Sequence, residues 1–249
     1  MRPILLKALK ACVPIAVYIA VWQLLSMIVG NSLLLPSPKE TAIASLSIFG
    51  SSVGWRSIGS TLLRIMIGYI LGCAIGVLLA VLTAHLPVFD WLLKPLRSLI
   101  KTTPITSFAL ILLVSLASGI VPVAVAMIVV IPMIWQTTEE AIRNRSEQLE
   151  EMAHIYLSFW KKLRYVTLPQ VLPRFFATAS TALGFAWKAV ITAEILALPA
   201  FGIGRQMQNS KIYFDTPELF AWTLIVIVFS VLIEAGIRLV LKKAGQRYD

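Results

Sequence analysis

The sequence predicts an all-α integral membrane protein: about six transmembrane helices, both termini cytoplasmic, and an amphipathic cytoplasmic helix between spans four and five. Three observations carry that expectation. Of 249 residues, 58% are hydrophobic and only 14% charged, with a mean hydropathy of +0.85, whereas soluble domains are about half apolar and a quarter charged. Apolar runs of about 20 residues, the length that crosses a bilayer, recur along the chain. The basic residues collect at the ends of those runs, predominantly on one side.

A formal charge of +10 could serve nucleic acid, but basic residues at span ends mark membrane orientation and not a phosphate-binding face. Cys12 and Cys73 both lie inside apolar segments, at a spacing that supports neither a disulfide nor a metal site. Arg2, Lys7 and Lys10 precede an apolar run as in a signal peptide. That run is too long for a typical signal core, and no small-x-small cleavage site follows it between Asn31 and Pro38, so a retained first span is expected.

In chain order, the first span is expected at Ala11 to Gly30 and the second at Ile65 to Ala84. Thr102 to Thr138 holds no charged residue and accommodates two spans folded back at Ala117-Ser118-Gly119, the first of them short unless it borrows residues from Trp91 onward. Phe175 to Pro199 makes a fifth and Phe220 to Leu241 a sixth. With the N-terminus inside, all Lys and Arg fall on the cytoplasmic side except Lys39, Arg56, Arg205 and Lys211 outside and Arg64 and Lys188 within spans. That asymmetry sets the orientation.

Gly68, Gly72, Gly76, Ala80 and Ala84 recur every four residues, a small-residue stripe that admits close helix approach, either within the subunit or at a subunit interface. Ala182, Ala186, Ala189 and Ala193 give the fifth span a similar face. Pro122 and Pro132 imply bends or breaks in the fourth. Lys188 and Glu194 sit within the fifth span, where an unpaired charge costs at least a few kcal/mol. They should face a protein interior or an aqueous cavity, Lys188 either lining a path for an anionic solute or serving as a structural partner. Glu234 and Arg238, four apart, are placed to stabilise the last span as a helix pair.

The one long polar stretch, 139–174, sets Glu139, Glu140, Glu147, Glu150 and Glu151 against Arg143, Arg145, Lys161, Lys162, Arg164 and Arg174. Leu149, Met152, Tyr156, Phe159, Trp160 and Leu163 recur at three- and four-residue steps, one side of a helix, with carboxylates early and lysines late as a helix dipole favours. Asn144 with Glu147 suggests its start, and Leu168-Pro169 and Leu172-Pro173 its stop. The aromatic stripe lies on lipid headgroups, packs under the chain's own spans, or docks a separate cytoplasmic protein. No phosphate-binding Gly-x-x-x-x-Gly-Lys-Ser/Thr run, His-Glu-x-x-His or Gly-x-Ser-x-Gly occurs, and His85 and His154 are far apart, so neither ATP binding by this chain nor an intramembrane enzyme is expected.

From Leu35 onward the residues resemble the permease subunits of bacterial ATP-driven, binding-protein-dependent importers, in particular the nitrate, sulfonate and taurine group. The resemblance rests on Leu35-Pro36-Ser37-Pro38, Ser60-Thr61-Leu62-Leu63-Arg64 followed by Gly68, Lys94-Pro95-Leu96-Arg97, Thr103-Pro104, Ala186-Trp187-Lys188-Ala189-Val190 with Ala193-Glu194, and Gly202-Ile203-Gly204. The family's loop signature, Glu-Ala-Ala then Gly and finally Ile-x-Leu-Pro, is kept at Glu150 and at Leu168-Pro169. It is altered at Glu151, Met152 and Tyr156, where the alanines and the glycine would stand.

The resemblance implies an N-terminal helix and external loop over 1–57, then a permease core over 58–249 with its coupling loop at 139–174. It implies that Glu150, Glu151, Met152, Tyr156, Phe159, Trp160, Leu168 and Pro169 dock on an ATP-binding subunit, and that Trp187, Lys188 and Glu194 border the solute path. Expected partners are two ATP-binding cassette subunits carrying ATP and Mg, a second permease and an external substrate-binding protein, assembled in the bacterial inner membrane. The expected cargo is a nitrate-, sulfonate- or taurine-like anion or a vitamin precursor. The competing class is a secondary transporter or channel independent of ATP, for which the sequence shows no inverted repeat; a membrane scaffold that moves no solute is a third reading.

Overall fold

Prolines, serines and close-packing glycines set the element boundaries. The computed structural model describes residues 2–245, and the side chains of residues 13–236; Cys12, Arg238 and the basic N-terminal residues have side chains outside that range. Twelve helical segments follow in order: α1 (Arg2–Val29), α2 (Pro38–Gly50), α3 (Ser52–His85), α4 (Pro87–Thr102), α5 (Ile105–Ser115), α6 (Val121–Arg143), α7 (Glu147–Tyr156), α8 (Phe159–Lys162), a π turn (Leu163–Thr167), α9 (Leu168–Ala197), α10 (Ile203–Ile212) and α11 (Thr216–Gly245).

The Leu35-Pro36-Ser37-Pro38 sequence is a helix start. Ser37 N–H donates to Glu40 Oε2 at 2.7 Å while Glu40 N–H donates to Ser37 Oγ at 3.2 Å, a reciprocal capping box with Pro38 in the first turn. Trp22 Nε1 and Ser26 Oγ donate back to the carbonyls of Pro36 and Leu35 at 3.0 and 3.1 Å. Trp22 also stacks on Phe220 of α11 at 6.0 Å. Residue 57, after which the permease core is expected to begin, lies inside α3, and α2 before it packs on α11 and α3.

The core is built on α3, α6 and α9. A Cβ added at Gly68 would lie 2.5 Å from Ala126 Cβ, at Gly72 2.8 Å from Val130 Cβ, and at Gly76 2.9 Å from Ile134 Cβ. Two four-residue ladders thus interlock with backbones nearly touching, and Ala80 closes the row at 0% exposure. In this chain the small-residue stripe is used within the subunit, against α6. The alanines of α9 face the same core, with Ala182, Ala186 and Ala193 fully buried.

Among the described residues four helical stretches are long and apolar enough to cross a bilayer, Ser52–His85, Val121–Arg143, Phe159–Ala197 and Thr216–Gly236, with α4 and α5 together a fifth candidate. The expected first span falls within the 28-residue helix α1 (Arg2–Val29), whose side chains are described from Val13 onward. The expected third cannot borrow from Trp91 onward as a straight helix, because α5 has 11 residues and α4 turns off at 104°, where Pro104 removes a backbone donor. The connection at 116–120 does fold the chain back into α6. That helix runs unbroken through Pro132, and Pro122 sits in its first turn where the missing N–H costs nothing.

Candidate functional site: an exposed aromatic platform and a polar face on α9

The polar stretch forms a short platform rather than one helix. α7 ends at Tyr156, the chain extends at Leu157 and Ser158, and α8 begins at Phe159. The start also corrects: Asn144 is the C-terminal cap of α6, and Ser146 precedes α7. Nor do the prolines stop anything. In the π turn the Leu168 N–H donates to the Leu163 carbonyl, Pro169 then occupies the first turn of α9, and the helix continues through Pro173. A proline tolerated at a first turn is compatible with continuation.

One carboxylate holds the platform together. Glu150 accepts from Arg145 Nη1 and Lys162 Nζ, both at 2.9 Å, and from Thr167 Oγ1 at 3.1 Å, so α7, α8 and the π turn meet on it. Ser146 N–H donates to Gln170 Oε1 at 2.9 Å. Partial burial pushes the Glu150 carboxyl up, but the Lys162 hydrogen bond, the Arg145 charge and the Thr167 hydroxyl outweigh it and hold its pKa below the ordinary value. Glu150 is thus the clamp of the platform. The surface is made by Glu151, Met152, Tyr156, Phe159 and Trp160, all exposed, with Tyr156 at 78% and Trp160 at 75%. Leu168 is exposed and Pro169 half-buried at its edge. Ile155 and Tyr165, not singled out from the sequence, extend the same apolar surface.

On α9 the two intramembrane charges part company. Glu194 is fully buried and accepts from Arg64 Nη1 at 2.7 Å, from Thr61 Oγ1 at 2.9 Å and from the Gly204 N–H at 3.0 Å. Arg64 also donates to the Phe201 carbonyl at 2.7 Å, and Thr61 Oγ1 accepts the Ile203 N–H at 2.9 Å. A Cβ on Gly202 would stand 2.7 Å from the Glu194 carboxylate, so the Gly-Ile-Gly turn exists to let backbone close over that group. Glu194, expected to border the solute path, is the centre of a lock joining α3, α9 and α10. Its partner Arg64 was legible as the opposite charge within a span, but nothing local says that the two meet.

Lys188 is exposed. With Trp187, Ser180, Thr181 and Ser230 it lines a cavity of about 240 Å³ between α9 and α11, which Glu234 also borders. No carboxylate forms an ion pair with Lys188 among the described residues. Trp187 is stacked on Phe229 at 6.2 Å, and among the described residues nothing accepts from its buried Nε1–H. An orphaned buried donor costs about 1–3 kcal/mol.

These features define a polytopic helical membrane protein with an exposed helical platform at one end and a polar-lined face on a core span. Residues 72–246 match the family described as binding-protein-dependent transport system inner membrane component, and the chain belongs to that family. It is 24% identical over 92% of its length to a putative aliphatic sulfonates transport permease protein of Bacillus subtilis, covering 83% of that protein. With the corresponding Escherichia coli protein it shares 30% identity, over 80% of this chain and 76% of the relative. Its fold resembles a chain of the MetNI methionine ABC transporter in an inward-facing form, with a TM-score of 0.60 at 16% identity over 76% of this chain and 93% of that one. The chain is therefore a multi-pass inner-membrane permease subunit of an ABC importer. Its ATPase is a separate subunit, and the ATP-independent alternative falls away. Importers of this family work with ATPase and substrate-binding partners.

Proposed function

We propose that the α7–α8 platform is where this permease receives an ATP-binding cassette subunit, and that the solute is a small oxyanion of the aliphatic sulfonate kind. The observation that carries the first half is the platform's exposed surface of Met152, Ile155, Tyr156, Phe159 and Trp160, held rigid from behind by the Glu150 clamp. Clustered aromatics of this kind are the anchors of protein interfaces, and a stiff platform continuous with α9 through the π turn transmits motion to the span that carries Lys188. Tyr156, in the place of the family's glycine, presents a bulky ring to the partner groove. The assembly would hold two permeases, two ATPases binding ATP and Mg, and an external binding protein, with the permease termini cytoplasmic.

The cargo half rests on the names of the sulfonate relatives and on Lys188, a span cation with hydroxyl neighbours. The test of docking is co-purification: replacing Tyr156, Phe159 and Trp160 by serine should abolish retention of the ATPase while the permease still inserts. Retention at the parental level would sink the platform as the docking site. For the cargo, ATP-driven uptake of labelled ethanesulfonate should fall at least about tenfold in Lys188→Met, the order expected from losing one charge contact; unchanged uptake removes Lys188 from the path.

A further inference from the structure

Beyond Lys188, the polar face of α9 continues into a second and larger cavity. It has a volume of about 420 Å³ and lies between α4, α6 and α9, lined by Lys101, Met133, Gln136, Thr137, Ala177, Thr178 and Thr181. Thr181 borders both cavities. From Lys188 to Ala177 the face runs 11 residues, about 16 Å along the helix, so the two form one sequence of sites down α9.

The electrostatics of α4 single out Lys101. The other charges that α4 turns toward α6 are matched by opposite charges: Arg97 with Glu139 at 2.5 Å and Asp90 with Arg143 at 3.1 Å. Among the described residues Lys101 meets only the neutral amide oxygen of Gln136. Gln136 Nε2 in turn donates to Glu140 Oε1 at 2.8 Å, which holds the amide with its oxygen toward the lysine. None of the cavity's lining residues is a carboxylate. The Lys188 cavity, by contrast, has a carboxylate, Glu234, among its lining residues. Lys101 is exposed at the edge of this larger cavity, and an ammonium beside hydroxyl and amide groups, with no carboxylate among the lining residues, is a donor set suited to an anion.

We propose that the Lys101 cavity is a second anion station on the solute path, in which the Lys101 ammonium and the hydroxyls of Thr178 and Thr181 receive the oxyanion headgroup after it leaves Lys188. This rests on the anionic cargo proposed above, and the test separates the two.

In inside-out vesicles carrying the complete transporter, with Cys12 and Cys73 replaced by alanine, Ala177→Cys provides an exposed thiol in the Lys101 cavity alone. Its reaction rate is measured with a methanethiosulfonate bearing a sulfonate and with the trimethylammonium counterpart. The anionic reagent is expected to react faster, Lys101→Gln to lower the anion-to-cation rate ratio about tenfold, and Lys101→Arg to preserve it. A ratio unmoved by Lys101→Gln overturns the proposal and leaves the lysine as a membrane-surface anchor of α4. Should that variant fail to insert, Gln136→Glu places a carboxylate on the same lysine and must lower the ratio likewise; an unmoved ratio there overturns it equally. Because the ratio is read without transport, a lowered ratio together with absent sulfonate uptake retains the anion station and removes only the sulfonate cargo.

Discussion

Arg64 and Glu194 are 130 residues apart in the chain and meet where Glu194 has no solvent contact. Removing one partner of such a pair leaves a buried charge, so Arg64→Met should destabilise the detergent-solubilised protein by about 3–5 kcal/mol. The double substitution Arg64→Met with Glu194→Met should recover much of that loss, and thermal unfolding of the three variants checks it; equal losses in the single and double variants would mean the pair contributes only through packing. Gly72 is a second residue-scale case. Its missing Cβ lies within 2.8 Å of Val130, so Gly72→Leu must push α3 off α6, and the variant should lose its folded fraction in detergent where the exposed Ile70→Leu does not. The four-residue glycine spacing was plain in the sequence, but the identity of the opposing ladder, Ala126, Val130 and Ile134, required the fold.

The α7–α8 platform and the π turn behave as one unit because Glu150 is shared among them. A carboxyl with a folded pKa below its unfolded value stabilises the folded form above the unfolded pKa, about 4.3 for Glu, and that contribution is lost as pH falls through the lower folded value. Hydrogen exchange over 157–167 should therefore be slow at neutral pH and accelerate only in strongly acid buffer. Glu150→Gln should accelerate it at neutral pH and flatten the pH response; a variant with parental exchange would show that the clamp is not what orders the platform. The carboxylate-to-lysine order was readable as a helix-dipole pattern. Its real use is a cross-brace, and the periodicity that suggested one continuous helix could not register the extended Leu157-Ser158 step or the π turn that lets α9 pass through its prolines.

In the whole molecule, the apolar core of α3, α6 and α9 supports the polar face of α9 on one side and hangs the platform from its end. Closure of an ATPase under the platform would reach Lys188 through one continuous helical run. ATP hydrolysis by the reconstituted importer should therefore lose its stimulation by the loaded binding protein when Gly-Gly is inserted at the π turn, with basal hydrolysis retained. Stimulation that survives the insertion would place the coupling elsewhere.

Membrane class, apolar spans and family were legible from 249 residues of composition, run length and short motifs, because each is a property of neighbouring residues and of a solvent that rewards apolar length. Which charges pair, and which carboxylate is a lock or a clamp, were decided by the tertiary structure. Pairing energies depend on distance in space, and a chain that returns through the bilayer several times sets those distances by helix packing that no local pattern encodes.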